Sequence, residues 1–276
     1  MTGATATASR LRPLGRYVAI ARIALQQALA YRGTAIFTVL ILFLWIGILF
    51  SFWSSAYDGR DDIAGYTHRD MRTYILLAYA INALVGWRVG RAMMSRIRTG
   101  EIVIDMIRPL NYRTTQLANA VGNGIVEGFV SFGIAVGLGL VFFDIRPPDS
   151  ATAGTIFVAS VMMGFVTKVL VIFLVTLLTF WTLQGVGLMW AQQAVIAILS
   201  GTLVPLALLP GWIRLIAEVL PLRGIVATPV AIYLGTSSGY GMLGLLALQA
   251  AWLALLWWVT DKAWIKAFRA VEIQGG

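Results

Sequence analysis

Charged residues are missing from most of this chain. Residues 34–53, 73–87, 114–143, 151–209 and 239–260 are apolar stretches that only Glu127 and Lys168 interrupt with charge. A helix needs about 20 apolar residues, at a rise of 1.5 Å each, to cross the hydrocarbon core of a bilayer. The pattern predicts an all-α polytopic membrane protein with six transmembrane helices. They are placed at about 34–55, 72–90, 114–143, 152–181, 188–209 and 239–260. The stretch 151–209 has room for two long spans or nearly three short ones. Gln184, Gly185 and Gly187 supply its break, which favours two. The first apolar run starts past residue 30 and is longer than the roughly 7–15 residues of a cleaved signal core, so it reads as a true span. Residues 1–12 are small and polar and are expected to be disordered. Too little polar sequence lies between the spans to build a soluble unit. Residues 13–276 are therefore read as a single membrane domain.

Charge orients the spans. With six, both termini share one side, and that side carries 14 of the 21 Lys and Arg residues against four acidic ones, Glu101, Asp105, Asp261 and Glu272. The opposite side carries Arg60, Arg69, Arg72, Arg146, Arg214 and Arg223 against seven acidic residues. Lys/Arg bias marks the cytoplasmic face, so both termini are expected there. A seventh span would put Lys262, Lys266 and Arg269 outside, against that bias. The net charge of +9 sits beside spans, which suits topology and lipid headgroups rather than nucleic acid. Cysteine is absent, which excludes disulfides and thiolate chemistry.

Three segments are neither span nor plain loop. Residues 13–32 place Val18, Ala21, Leu25, Ala28 and Leu29 at helical spacing, as an interfacial helix on the cytoplasmic leaflet or a helix packed on a partner subunit. In residues 91–113, Gly100 breaks a basic helix, Glu101–Met106 start a second short one, and Pro109 ends it. The alternative there is a solvated loop with lipid-binding arginines. Residues 210–236 are apolar but broken by Pro210, Pro221 and Pro229, and carry Arg214, Glu218 and Arg223. They read as two short amphipathic segments dipping into the outer leaflet, because broken backbone at membrane depth must be buried in protein or line water.

Glu127 and Lys168 fall at similar middle depth in neighbouring antiparallel spans. An intramembrane charge costs at least about 2.5–3.5 kcal/mol on insertion scales, so such groups pair or face water. An ion pair, or two groups facing one polar cavity, is expected. Ala120, Gly124, Gly128, Gly133 and Gly137 line the third span at the spacing of close helix packing, within the chain or between subunits.

Several chemistries are excluded. No Gly-x-x-x-x-Gly-Lys-Ser/Thr loop occurs, and the lysines are limited to 168, 262 and 266, so no ATP phosphate site is recognisable. One histidine and no cysteine exclude a zinc site of the usual kind. No span holds a His for intramembrane Ser/His proteolysis. Gly122-x-Gly124 is no dinucleotide fingerprint, since position 127 is Glu and no strand precedes it.

Two stretches resemble the membrane subunits of type-2 ABC exporters, a class moving drugs, lipids or polysaccharides. One runs from Arg98-Thr-Gly-Glu-Ile102 through Ile107-Arg-Pro-Leu110. The other runs from Leu209-Pro-Gly-Trp-Ile213 through Leu220-Pro-Leu-Arg-Gly224 to Pro229-Val-Ala-Ile-Tyr-Leu-Gly235. The resemblance implies an N-terminal connecting helix at 13–32 and a cytoplasmic coupling helix at 95–111, between spans 2 and 3. It also implies a re-entrant outer gate at 210–236, with Pro210, Trp212, Pro221 and Pro229 as its marking residues. Coupling would rest on Arg98, Gly100, Glu101, Asp105, Arg108 and Pro109, with Gly100 supplying the bend and the charges the docking contacts. The implied partners are two copies of an ABC ATPase subunit, which bind the ATP and Mg that this chain does not, and a second permease chain, identical or a sister. The implied location is a bacterial cytoplasmic membrane. Aromatic residues at Trp45, Phe52, Trp87 and Trp190 suit a lipophilic cargo path. The competing readings are an ion-coupled secondary transporter using Glu127 and Lys168, and a membrane scaffold or enzyme. Secondary transporters commonly show internal repeats, and residues 1–140 do not repeat in 141–276.

Overall fold

A computed structural model describes residues 3–30, 32–107, 110–125, 128, 132–133, 135–137, 139, 144–182, 185–237 and 239–274. Helix dominates, as the long apolar runs require: a backbone in lipid must satisfy its own polar groups. The helices are α1 (Gly3–Ala30), α2 (Arg32–Ala56), α3 (His68–Ala83), α4 (Trp87–Arg98), α5 (Ile102–Met106), α6 (Tyr112–Gly124), α7 (Ala151–Leu177), α8 (Gly185–Leu199), α9 (Gly211–Val219), α10 (Ala227–Leu234) and α11 (Tyr240–Gln274). Two regions, Ala151–Phe180 and Tyr240–Ala267, are by themselves long and apolar enough to cross a membrane. The apolar parts of α2 and α8 are shorter.

The strand pair among the described residues is a hairpin, β1 (Asp62–Ile63) with β2 (Tyr66–Thr67). Ala64 (φ 54°) and Gly65 (φ 84°) make its two-residue turn, the positive-φ geometry that tight hairpins favour. Thr67 then caps α3 in a reciprocal box with Asp70. Arg146 holds this end of α3 to the segment before α7, reaching Asp70 at 3.4 Å and Asp149 at 3.1 Å. Burial, reinforced by Asp62 and Asp70, pushes the Tyr57 hydroxyl up to about 12, and that hydroxyl donates to Tyr66 O at 2.7 Å.

α7 is the central post, packed against α4, α6, α8, α10 and α11. The main core gathers around it from α2, α3 and α10, with Leu76, Leu77, Val169 and Val230 almost fully buried. A second, smaller core at the other end joins Met93, Ile102, Tyr112, Phe173, Leu177 and Ala267. It thereby ties the ends of α4, α6, α7 and α11 to α5.

Here the structure departs from what the sequence pattern predicts. The expected span at 72–90 is two helices, α3 and α4, with a break at 84–86 where Gly86 is extended (φ −81°, ψ −179°). The expected span at 188–209 is helical only to Leu199. Beyond it the chain turns at Gly201 (φ 83°), whose carbonyl accepts from Tyr74 Oη at 2.7 Å. The last helix continues well past residue 260, to Gln274. α1 begins at Gly3, so residues 3–12, expected to be disordered, belong to a helix. Arg108, Pro109, Glu127, Gln184 and much of 126–143 lie outside the described residues.

The glycines of the third apolar stretch pack on different neighbours. A Cβ on Gly122 would collide with Ala21 O and lie 2.7 Å from Ala24 Cβ, so this glycine is the crossing point of α1 and α6. Gly124 and Gly128 instead face the backbone of Leu84, at the break between α3 and α4, while Gly133 and Gly137 face open space. The Gly124-x-x-x-Gly128 pair therefore serves packing within the chain. Gly122→Val should lift α1 off α6, since backbone cannot yield as a side chain does and overpacking alone costs about 1–3 kcal/mol. Limited proteolysis should show faster cleavage within residues 15–30, and a wild-type pattern would refute the crossing.

Candidate functional site

Residues 87–107 fold as a helical hairpin. α4 ends at Arg98, Thr99 caps it, and Gly100 (φ 76°) turns the chain into α5. A Cβ at Gly100 would meet nothing, so only the left-handed backbone requires glycine here. Arg96 on α4 clamps α5: its Nε donates to Asp105 Oδ2 at 2.6 Å and a terminal nitrogen to Oδ1 at 3.0 Å. Glu101 Oε2 lies 3.9 Å from the same guanidinium. Two-point pairing fixes geometry as well as charge. Beneath the clamp, Ile102 is buried in the small core.

This arrangement redistributes the roles expected of the charges. Asp105 is turned in to Arg96, with a side chain only 11% exposed, so it holds the hairpin. Arg98 and Glu101 are exposed. The exposed surface of α5 and the residue after it is apolar instead: Val103, Ile104 and Ile107 are 46%, 51% and 79% exposed. Sequence reasoning missed these three. Their signal is an Ile-Val-Ile run and Ile107 inside a strongly charged segment, with only one of the four isoleucine and valine side chains sent to the core.

Just beyond α6's start, Arg113 is buried against α11. It donates to Trp257 O at 2.6 Å, pairs with Asp261 at 2.8 Å, and lies 3.7 Å from the centre of the Trp257 ring. A residue that the sequence reading counted among the arginines marking the cytoplasmic face thus also latches two helices.

Lys168 sits in the middle of α7, 1% exposed. Its Nζ donates to Asn82 O at 2.5 Å and to Asn82 Oδ1 at 2.7 Å. Asn82 is in the last turn of α3, where carbonyls lose their helical partners. A cation there satisfies the orphaned acceptors and complements the negative end of the helix. Glu127 lies outside the described residues, so its relation to Lys168 is untouched by this geometry. Asn82 is the lysine's observed partner, and its signal in the sequence was an amide in an apolar run.

Residues 210–236 are built in two unlike halves. Pro210 precedes α9, whose Trp212, Leu215, Ile216 and Val219 form an exposed apolar stripe, Trp212 at 70%. Arg214 and Glu218 pair across one turn at 2.8 Å. Pro221 starts a short 3-10 turn, Pro221–Gly224, and Pro229 lies in the first turn of α10, where proline is tolerated. α10 is not the amphipathic segment expected. It is buried all round, only Ala231 being partly exposed, and packs on α7 and α3. Broken backbone at depth needs such cover. Gln249 on α11 secures it, its Nε2 donating to Ser160 O and Gly224 O, both at 2.8 Å, while Ser160 Oγ donates to its Oε1.

Along the expected cargo path Trp45, Phe52 and Trp190 are exposed, at 53%, 61% and 62%, and the Trp87 side chain is not described. No group of His, Asp and Glu among the described residues is placed to hold a metal. No curated protein matches the chain. The family model described as "ABC-2 family transporter protein" matches residues 43–275, from within α2 to the end of α11. That match takes in the α4–α5 hairpin, Lys168 and residues 210–236 alike, and the chain belongs to the ABC-2 family of transporter proteins.

Proposed function

We propose that this chain is the permease subunit of an ATP-driven exporter in a bacterial cytoplasmic membrane, crossing it six times with both termini inside. The observation that carries this reading is the α4–α5 hairpin. It is pinned from within by Arg96–Asp105 and Ile102, and it presents Val103, Ile104 and Ile107 outward. An apolar face on a rigid charged hairpin suits docking into a groove of a separate protein. Two ABC ATPase subunits are the proposed occupants, each holding its own ATP and Mg. Arg98 and Glu101 lie at the edge of the contact, Gly100 sets the bend, and Asp105 keeps α5 in place. Arg108 and Pro109 complete the segment.

Closure of the ATPase pair would push the hairpin, and the push passes directly into α4 and the break at 84–86. The α9–α10 segment, with Pro210, Trp212, Pro221 and Pro229, closes the outer end. A second permease chain, identical or a sister, completes the path for a lipophilic cargo. Co-purification of an ATPase with the chain, followed by ATP-dependent transport in vesicles, tests the reading. Transport driven by a proton gradient without ATP would replace it with an ion-coupled carrier.

A further inference from the structure

α11 outruns its own apolar stretch. It continues as one helix from Tyr240 to Gln274, about 52 Å at 1.5 Å per residue, against about 30 Å for a hydrocarbon core. The chain scarcely covers it: its apolar part is 11% buried, against 61% for that of α7. Leu255, Trp258, Lys262, Ile265 and Lys266 follow one another at steps that put them on one face. All five are exposed, Trp258 at 58%. The opposite side is tied down, with Ala267 fully buried in the small core and Trp264 stacked on Tyr112 at 4.5 Å. Asp261 is the acidic residue of this stretch, and it pairs with Arg113 at 2.8 Å. No ion pair among the described residues takes up the ammonium of Lys262 or Lys266. Arg269 and Glu272 come further along the helix, and their side chains lie outside the described residues.

We propose that the Trp258–Lys262–Lys266 face of α11 binds the headgroup of an anionic phospholipid. Placement at the inner leaflet rests on the membrane topology proposed above. Lys262 and Lys266 lie about 6 and 12 Å beyond Trp258 along the helix axis. Tryptophan favours the boundary between hydrocarbon and headgroups, so one ammonium stands level with the phosphates and the other just past them. Side chains lean toward the N-terminus of their own helix. For α11 that direction is back toward the bilayer, so both lysines reach for the same layer. Leu255 and Trp258 meet the acyl chains. Two positive charges attract a net negative headgroup, whereas a zwitterionic one brings an ammonium of its own that they repel. The bound lipid presses α11 against the core that holds Ile102, and membrane composition thereby tunes how firmly α5 is seated.

The test uses the full chain, purified in detergent, with native mass spectrometry after exposure to phosphatidylglycerol or phosphatidylcholine. Phosphatidylglycerol should be retained better by about fivefold for each lysine engaged, so by about thirtyfold for the pair. Lys262→Gln and Lys266→Gln should each lose about fivefold of that preference, and the double Gln variant most of it. Both side chains are exposed, so these changes cost the fold little. The double Arg variant keeps both charges and should keep the preference. Equal retention of the two lipids by the wild type, or an unchanged preference in the double Gln variant, would overturn the proposal. If that variant keeps its lipid preference and instead releases a co-purified ATPase, the face belongs to the ATPase and the proposal falls. The lipid measurement itself needs no ATPase, so its failure and that of the transport reading are told apart.

Discussion

Replacing Val103 and Ile107 together by Asp should abolish ATP-driven transport while leaving the permease inserted and folded. Both side chains are largely exposed in the free chain, so charging them costs the fold little. In a docked complex they would be desolvated. Burying an apolar side chain of this size contributes about 1.5–3 kcal/mol, and a carboxylate in its place adds an unpaired charge. Losing two such anchors weakens association by about a hundredfold to ten-thousandfold. The measurement is retention of the ATPase on the immobilised permease, with transport read in parallel. Ile104→Asp should act in the same direction. Glu101→Lys should do much less, because its pairing with Arg96 is long and exposed. Asp105→Lys should fail for a different reason, by opening the Arg96 clamp and loosening α5 itself. If the double Asp variant binds and transports normally, α5 is not the docking element.

Lys168→Met should destabilise the protein by about 1.5–3 kcal/mol, the usual worth of hydrogen bonds made by a charged group. Met fills similar volume, so the loss reports the polar role. The helix end at Asn82 would keep its acceptors but lose their donor, with no water at that depth to replace it. Asn82→Leu should cost less than Lys168→Met, because the main-chain carbonyl still accepts. A double-mutant cycle between the two should show coupling, since they touch. Thermal unfolding in detergent reads all three. Glu127→Gln discriminates the pairing that the sequence suggested: strong coupling to Lys168→Met would place Glu127 in the same network. A cost below about 0.5 kcal/mol for Lys168→Met would remove Lys168 from any structural role. Because α4 runs from this break straight to the turn into α5, the proposed coupling element, Lys168→Met should also lower ATP-driven transport more than its stability loss explains.

Composition and patterning made much of the molecule legible. Long apolar runs named the helices around α2, α7, α8 and α11, and a positive-φ glycine between basic and acidic turns named the α4–α5 break. Hydropathy failed at 72–90 and 188–209 because it counts apolar residues without sensing where the backbone bends. Leu84, Val85 and Gly86 read as span, yet the close approach of Gly124 and Gly128 coincides with a broken helix there. Ser200 and Gly201 read as span as well, yet Tyr74 and Ala227 take their backbone groups out of helical register.

The sequence by itself settled that this chain is helical, apolar and built for a membrane, because the bilayer admits few ways to satisfy a backbone. It also located the charged segment from which the α4–α5 hairpin is made. Which charges face outward was beyond it. Arg113 and Asp105 turned inward, Lys168 found a helix end at Asn82, and Val103 and Ile104 of α5, with Ile107 just past it, face outward while Ile102 is buried. The polar assignments depend on which neighbour lies within about 3 Å of each polar atom, the apolar ones on which face meets the core, and only the packed chain decides either.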